Sequence, residues 1–215
     1  MENKSHVQVG KVLLLLLPVI AVCCSSCSQA PESKAAVPLY ERLDTALLQE
    51  GDLLFRLGTG LESQAVVATD RNAQYSHVGL LVRENGVWKV LHAVPGEEAE
   101  TGGEEVLKKD VLPVYFSPMR AVSLCVMRYD TTAEALCEIC RQGMRLYAKR
   151  IPFDHSYDIT DSSKMYCTEF VIHVFHCAGV DLPEGRCHHF PLVKERLVYP
   201  LDIIQNPKLK MVSRM

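Results

Sequence analysis

Short apolar runs of the kind that form β-strands occur mainly in the first part of the chain, and longer runs with helical periodicity occur mainly in the second. Residues 52–57, 75–82, 87–94 and 121–128 are rich in apolar and β-branched side chains. Their length suits buried strands better than helices, and residues 209–212 add a last strand. Because the strands and helices are segregated rather than alternating, the pattern predicts an α+β domain.

The Asn-Gly pair at 85–86 separates two of these β-rich runs. Such a pair between two strands predicts a hairpin with a two-residue turn. That turn places Glu84 opposite Val87, so that His77 and His92 lie one diagonal step apart on neighbouring strands. A turn centred on the asparagine alone would shift this register.

Apolar residues at helical spacing predict helices over residues 39–49, 61–69 and 131–149. A fourth apolar run starts at Cys167, directly after a polar loop, and ends before Gly179. Glycine is a favourable residue just beyond the end of a helix, so this run is predicted to be a buried helix that begins near the cysteine.

The position of Cys167 has two interpretations. Unpaired N–H groups and the positive end of the helix dipole at a helix start favour a thiolate, which is a good nucleophile. Alternatively, the cysteine is a small buried packing residue, as most free cysteines are. The position alone does not separate the two.

The first residues have the pattern of an export signal. Lys4 and Lys11 precede the apolar run 12–22, which is too short to span a membrane comfortably, since that needs about 20 apolar residues. The following small residues and cysteines resemble a bacterial lipoprotein signal. Cys27 fits best as the lipidated residue, and Cys24 is a weaker alternative. An ordinary cleaved signal or an uncleaved anchor would share part of this pattern.

The length and net charge of the chain limit the number of domains and the kinds of partner. We expect a signal peptide over residues 1–26, a polar tether over 27–38 and one domain over 39–215. Cleavage before residue 27 would leave 189 of the 215 residues, which is enough for one domain with a sizeable core. The net charge of −3 gives no indication of nucleic-acid binding.

Four short motifs together resemble a known superfamily. They are Gly-Asp-Leu-Leu-Phe at 51–55, Tyr-Ser-His-Val-Gly-Leu at 75–80, Leu-His-Ala-Val at 91–94 and Tyr-Cys-Thr-Glu-Phe-Val at 166–171. In this order they resemble the permuted papain-like enzymes of the NlpC/P60 superfamily, most closely the YiiX/YaeF-like amidases. The resemblance implies a circularly permuted papain-like fold, with an antiparallel sheet or barrel packed against helices and the nucleophile at a helix N-terminus.

The resemblance also implies a role for three residues. Cys167 would be the nucleophile, His77 the general base and acid, and His92 the third residue that orients the His77 ring. YiiX-like members often carry a carboxylate where this chain has His92, although related NlpC/P60 branches use histidine. An imidazole has no fixed negative charge, so it should stabilise an imidazolium at His77 less well.

Several neighbouring residues are candidates for smaller roles. The backbone N–H of Cys167 is the natural oxyanion donor at the helix start. Glu169, Tyr166 and Tyr75 are candidate substrate contacts, although packing is the simpler role for the tyrosines and a carboxylate in the first helical turn suits the helix dipole. Asp52 is expected to cap a turn or to pair with a basic residue.

Histidines and cysteines also occur at 173–177 and 187–189. One helical pair and one contiguous trio lack the spacing of a zinc site. Cys137 and Cys140 form a C-x-x-C inside a predicted helix, whereas a redox motif is placed at a helix start after a strand. We therefore expect no metal and no cofactor.

The sequence as a whole predicts an exported, lipid-anchored cysteine amidase or peptidase on a bacterial membrane, facing the periplasm. Its substrates would be cell-wall stem peptides, other peptidoglycan fragments or related small amides. One alternative is a lipid acyltransferase or lipid amidase of the same superfamily, which an apolar groove beside Cys167 would favour. Another is a non-catalytic lipoprotein that binds wall fragments.

Overall fold

The computed structural model describes residues 37–70, 72–97, 103–189 and 196–215. The strands in these ranges are β1 (Leu53–Gly58), β2 (His77–Glu84), β3 (Val87–His92), β4 (Lys108–Val111), β5 (Ala121–Tyr129), β6 (His188–His189), β7 (Arg196–Leu197) and β8 (Leu209–Arg214). The helices are α1 (Leu39–Arg42), α2 (Leu61–Thr69), α3 (Leu112–Tyr115), α4 (Ala133–Ala148), α5 (Cys167–Cys177) and α6 (Pro200–Ile204).

Six strands form one open antiparallel sheet in the order β4-β3-β2-β1-β5-β8, and β6 pairs with β7 separately. The predicted α+β class and antiparallel sheet are confirmed. The sheet is not closed into a barrel, because β4 and β8 are the two edges of the six-stranded order.

The central hairpin has the predicted register. Glu84 pairs with Val87, and both turn residues have positive φ, at 52° for Asn85 and 80° for Gly86. Asparagine and glycine tolerate this left-handed conformation better than other residues, which explains why the turn forms here. The register in turn decides which side chains of β2 and β3 share a face.

Helices α4 and α5 cover one face of the sheet. The buried residues of this layer include Leu53, Phe55, Val78, Leu80, Leu91, Ile139, Phe170 and Val174. Gly143 lets α4 approach closely, since a Cβ there would lie 2.9 Å from Cδ2 of Leu80 and 3.0 Å from Cδ1 of Leu91. This layer holds the start of α5 against the ends of the central strands.

The opposite face is covered by a smaller layer that includes α3. Tyr115 and Phe116 are fully buried there, and the Tyr115 hydroxyl donates to the Leu54 carbonyl at 2.8 Å. The buried polar side chains Arg56 and His92 belong to this layer and contact the Tyr115 ring. The apolar side chains of this layer therefore enclose the polar side chains of Arg56 and His92.

The prediction of one continuous helix over residues 39–49 is wrong. Only α1 and a separate 3₁₀ turn at Thr45–Leu47 form, because Asp44 accepts a hydrogen bond from the Ala46 N–H at 3.0 Å and starts a new turn. Leu47 is therefore exposed, whereas Leu43 is buried. The edge strand β4 comes from a segment for which the sequence predicts neither a strand nor a helix.

The predicted signal at 1–26 and the predicted lipidation site at Cys27 lie outside the described residues, and the tether at 27–38 is described only from Val37. Within the described ranges, no helix combines the length and apolar character needed to cross a membrane.

Asp52 has the structural role expected from the sequence. Its buried carboxylate accepts two hydrogen bonds from Arg128, at 2.7 and 2.8 Å, and one from the Gln49 N–H at 2.8 Å. It thus links the turn before β1 to the neighbouring strand β5.

The start of α5 contains a second buried carboxyl group. Glu169 is only 3% exposed, and one of its oxygens lies 3.4 Å from the Tyr166 N–H, as in a capping box. Burial, assisted by the charges of Asp154, Asp158 and Asp161, raises the pKa of Glu169 to about 8. The carboxyl group is therefore mostly protonated at neutral pH.

We expect Asp52→Asn to lower the free energy of unfolding by about 2 kcal/mol, because charge-assisted hydrogen bonds to Arg128 are lost in a buried position. Urea denaturation followed by circular dichroism would measure this. The matched control is Asp130→Asn, which removes an exposed ion pair with Lys210 and should cost less than about 0.5 kcal/mol. Equal losses in the two variants would contradict a structural role for Asp52.

The raised pKa of Glu169 predicts a pH dependence of stability. Because the folded-state pKa of about 8 lies above the ordinary glutamate pKa of 4.5, this group contributes stability that is present below about pH 4.5 and is lost as the pH rises through about 8. Glu169→Gln keeps a neutral acceptor and should lack this loss. The stability difference between variant and wild type should shift in favour of the variant by more than about 1 kcal/mol between pH 5 and pH 9. A difference that does not change with pH would refute this prediction.

Candidate active site

A row of polar side chains crosses the sheet on the face covered by α3. The row contains Arg56 on β1, His77 on β2, His92 on β3 and Asp110 on β4. Arg56 pairs directly with His77, and Asp110 pairs with Val90, which precedes His92 by two residues. Neighbouring strands therefore bring together four residues that are distant in sequence.

The two histidines are hydrogen-bonded. Nε2 of His77 lies 3.0 Å from Nδ1 of His92, and the rings meet edge to face at an interplanar angle of 78°. His77 is 5% exposed and His92 is fully buried. The diagonal relation predicted from the hairpin register therefore produces a direct contact.

Gly79 makes space for this contact. Continuing the β2–β3 register places Gly79 opposite His92, and a Cβ at Gly79 would lie 3.1 Å from the Cβ of His92 and 2.5 Å from Cγ1 of Val90. A side chain at this position would collide with β3, at Val90, at the Leu91 carbonyl and at His92. The glycine of the Tyr-Ser-His-Val-Gly motif thus has a steric role.

A carboxylate lies on the far side of His92. Nε2 of His92 is 3.3 Å from Oδ2 of Asp110, and the same oxygen accepts from Arg120 at 2.9 Å. Arg120 also donates to the Glu97 carbonyl at 3.1 Å. Sequence reasoning missed Asp110, because one aspartate in the segment Lys-Lys-Asp-Val shows no signal of its own until β4 is known to pair with β3.

Electrostatics favour two neutral histidines. Burial, together with the charges of Arg56, His92 and Lys108, lowers the pKa of His77 well below its usual value. Burial also lowers the pKa of His92, although its hydrogen bond to Asp110 opposes this. Partial burial disfavours ionisation of Asp110, but His92 and Arg120 outweigh that effect and lower its pKa.

Cys167 is the first residue of α5 and is half-buried. The protein packed around its thiol raises the pKa to about 11, while the N–H groups of Val78, Thr168 and Cys167 itself and the charge of Arg56 act in the opposite direction. Burial of the thiol therefore acts against the thiolate that a helix start favours. Together with the lowered pKa of His77, it favours a neutral thiol beside a neutral imidazole.

Two cavities meet at Cys167. The first, which we call the cleft, has a volume of about 270 Å³ and is lined by both Cys167 and His77, with Arg56 and Glu97. The second, which we call the groove, has a volume of about 360 Å³ and is not lined by His77. The groove is mainly apolar, and its lining includes Ala65, Val66, Leu197, Val198, Pro200, Tyr157, Tyr166 and Tyr199.

A larger cavity of about 660 Å³ lies away from this site, beside Trp88 and the part of α4 that carries Cys137 and Cys140. No histidine lines it, so it does not offer a cysteine–histidine pair. The site that combines a thiol with a neighbouring imidazole is the one at Cys167.

The three candidate substrate contacts are placed differently. Tyr166 lines both cavities, and its hydroxyl accepts from the Val198 N–H at 3.3 Å. Tyr75 lines neither cavity and packs against Phe55, with ring centroids 6.1 Å apart. Glu169 also lines neither, because its carboxyl group turns back to the start of α5. Of the three candidates, Tyr166 is thus the one that lines the cavities at Cys167.

Comparison with known proteins supports the fold. No protein-family model and no curated protein sequence matches the chain. A solved structure, that of the metalloprotein YiiX from Escherichia coli O157:H7, matches with a TM-score of 0.64 and 21% sequence identity, over 78% of this chain and 97% of that one. The similarity shows that the described part of the chain has a YiiX-like α+β fold.

YiiX is described as a metalloprotein, so we tested the donor side chains of this chain for a metal site. Across the described ranges, no group of three or more histidine, cysteine, aspartate or glutamate side chains could hold a metal ion. These residues therefore do not fit a bound metal, and no step of the chemistry below is assigned to one.

Proposed function

We propose that this chain is a permuted papain-like cysteine hydrolase that cleaves amide bonds through an acyl-enzyme intermediate. The observation that carries the proposal is the shared cleft, in which Cys167 at the start of α5 and the His92-bound His77 line one space. The YiiX-like fold supports the same assignment, because the motifs at 75–80 and 166–171 supply both residues.

The mechanism begins from a neutral pair. His77 accepts the thiol proton as the sulfur of Cys167 attacks the amide carbonyl, since the raised pKa leaves few thiolates at rest. The N–H of Cys167 at the helix start is a donor for the developing oxyanion. His77 then gives its proton to the leaving amine, and water, deprotonated by His77, hydrolyses the thioester.

The cellular setting of this reaction is part of the proposal. After cleavage of a signal at 1–26, a lipid on Cys27 would tether a domain at 39–215 to a bacterial membrane, facing the periplasm. Cell-wall stem peptides and other small amides are the substrates that this location would offer.

Replacement of either reacting residue should abolish turnover. We expect Cys167→Ala and His77→Ala to lower hydrolysis of a muropeptide or acyl amide by at least about 10²-fold, since each removes a group that acts in the transition state. The control is Cys137→Ala, which removes an exposed thiol of α4 and should leave the rate unchanged. Mass spectrometry of the acylated peptide around Cys167 would identify the intermediate.

The proposed mechanism is wrong if hydrolysis survives in both variants. If wild type hydrolyses no amide and Cys167 reacts with a thiol probe no faster than Cys137, the chain is better described as a lipoprotein that binds wall fragments without cleaving them.

A second candidate function is hydrolysis or transfer of lipid acyl groups. The observation that favours it is the mainly apolar groove beside Cys167, which lacks the histidine needed to protonate a leaving amine. Because His77 lines only the cleft, the leaving group belongs in the cleft and the acyl group in the groove. A substrate with an apolar acyl chain and a polar amine would match both spaces.

The groove predicts a dependence on acyl-chain length. For amides that share one amine, kcat/KM should rise by up to about fourfold for each added methylene until the groove is filled, because each buried methylene contributes about 0.8 kcal/mol. Ala65→Asp places a charge in the groove and should flatten this series. Ala68→Asp, on the same helix but outside both cavities, is the control. A wild-type rate that is independent of chain length would favour stem peptides instead.

A further inference from the structure

We infer that Asp110 is a positioning residue whose carboxylate sets the tautomers of His92 and His77, so that Nδ1 of His77 is left without a proton and can act as the base for Cys167. This inference rests on the proposed function. The third position of the site, His92, lacks a negative charge. Asp110 on the edge strand β4 supplies that charge from behind His92.

The first step concerns Asp110 itself. An ionised carboxylate can only accept hydrogen bonds, and Arg120 already donates to Oδ2 of Asp110 at 2.9 Å. The ring nitrogen that faces the same oxygen at 3.3 Å, Nε2 of His92, must therefore carry a hydrogen. Asp110 thus selects one of the two neutral tautomers of His92.

The second step transfers this choice to His77. His92 is fully buried and bears its hydrogen on Nε2, so its Nδ1 is an acceptor in the neutral ring. The atom 3.0 Å from that acceptor is Nε2 of His77, which must then be the donor. In neutral His77 the remaining nitrogen, Nδ1, has a free lone pair, and His77 lines the cleft that it shares with Cys167.

The third step concerns the charge that appears during reaction. When His77 takes the thiol proton, the imidazolium donates to His92, and His92 donates to Asp110. The carboxylate therefore stabilises the new positive charge through one intervening ring. The other charged groups around the two histidines are Arg56, Glu97, Lys108 and Arg120. Arg56 forms an ion pair with Glu97, and Arg120 forms ion pairs with Glu97 and Asp110.

Loss of the negative charge of Asp110 would move the ring hydrogens of His92 and His77 to their other nitrogens. The amide of Asp110→Asn can keep its oxygen as the acceptor for Arg120 and turn its NH2 group to Nε2 of His92, which would move the His92 hydrogen to Nδ1 and make Nε2 of His77 an acceptor. Nδ1 of His77 would then carry the hydrogen and could no longer take one from Cys167. Asp110→Asn keeps the shape of the side chain and is nevertheless expected to leave His77 unable to accept the thiol proton.

The experiment combines a rate with a spectroscopic signature. We would measure the second-order rate of alkylation of Cys167 by iodoacetamide from pH 5 to pH 9, by peptide mass spectrometry, with the exposed Cys137 as an internal reference. Nitrogen-15 NMR of the histidine rings would report which nitrogen bears the hydrogen. The variants are Asp110→Asn and His77→Gln, and Asp130→Asn is the matched control because its exposed carboxylate pairs with Lys210 at the surface.

For wild type we expect hydrogens on Nε2 of both His77 and His92. Asp110→Asn should slow alkylation of Cys167 at pH 7 at least tenfold relative to Cys137 and move the His77 hydrogen to Nδ1, whereas Asp130→Asn should change neither. His77→Gln should slow alkylation by a similar factor. The wild-type NMR result tests the inference even if Asp110→Asn does not fold.

The possible failures are distinguishable. If His77→Gln leaves the alkylation of Cys167 unchanged, the proposed cysteine chemistry itself is wrong. If His77→Gln slows alkylation but wild-type His77 bears its hydrogen on Nδ1, or a folded Asp110→Asn variant behaves like wild type, only the role of Asp110 is overturned.

Discussion

The hydrogen bond between His77 and His92 is the contact on which the rest of the site depends. It joins two strands that have to be in one register, because a shift by one residue would turn one ring to the other face of the sheet. The Asn-Gly turn sets that register, and Gly79 leaves space for the close approach of β3 at Val90 and His92. Turn chemistry and a missing side chain thus determine the geometry of the imidazole pair.

Burial of this pair has an electrostatic consequence that reaches Cys167. Because both rings lie under Tyr115 and away from water, their neutral forms are favoured, and the thiol is favoured over the thiolate for the same reason. Chemistry at such a site requires proton transfer during the attack rather than a preformed ion pair. The surrounding charges are balanced in turn, with Arg56 bound to Glu97 and Arg120 bound to Asp110.

The two cavities beside the Cys167 thiol differ in the polarity of the side chains that line them. The cleft contains the base and charged side chains, whereas the groove offers mainly apolar surface from α2 and the segment around Val198. Helix α2 has no buried residue of its own and contributes to both walls. Its weak attachment to the core is consistent with a wall that serves the site rather than the fold.

Local sequence patterns were enough to predict the features that depend on neighbouring residues. The Asn-Gly hairpin, the strand β1, the helix α2 and the start of α5 at Cys167 follow from local patterns. The register of a two-residue turn places His77 one diagonal step from His92, and the structure has this register. The helix over 39–49 was wrong, because the cap made by Asp44 competes with helical periodicity over a short segment.

The other features of the site arise from contacts between segments that are distant in sequence. Asp110 reaches His92 because β4 adds to the edge of β3, a pairing between segments whose sequence pattern is too short to specify it. The neutral state of Cys167 likewise depends on how much protein surrounds the thiol, and the helix-terminus rule contains no such information. Register within a hairpin is local, whereas desolvation and long-range strand pairing are properties of the packed molecule.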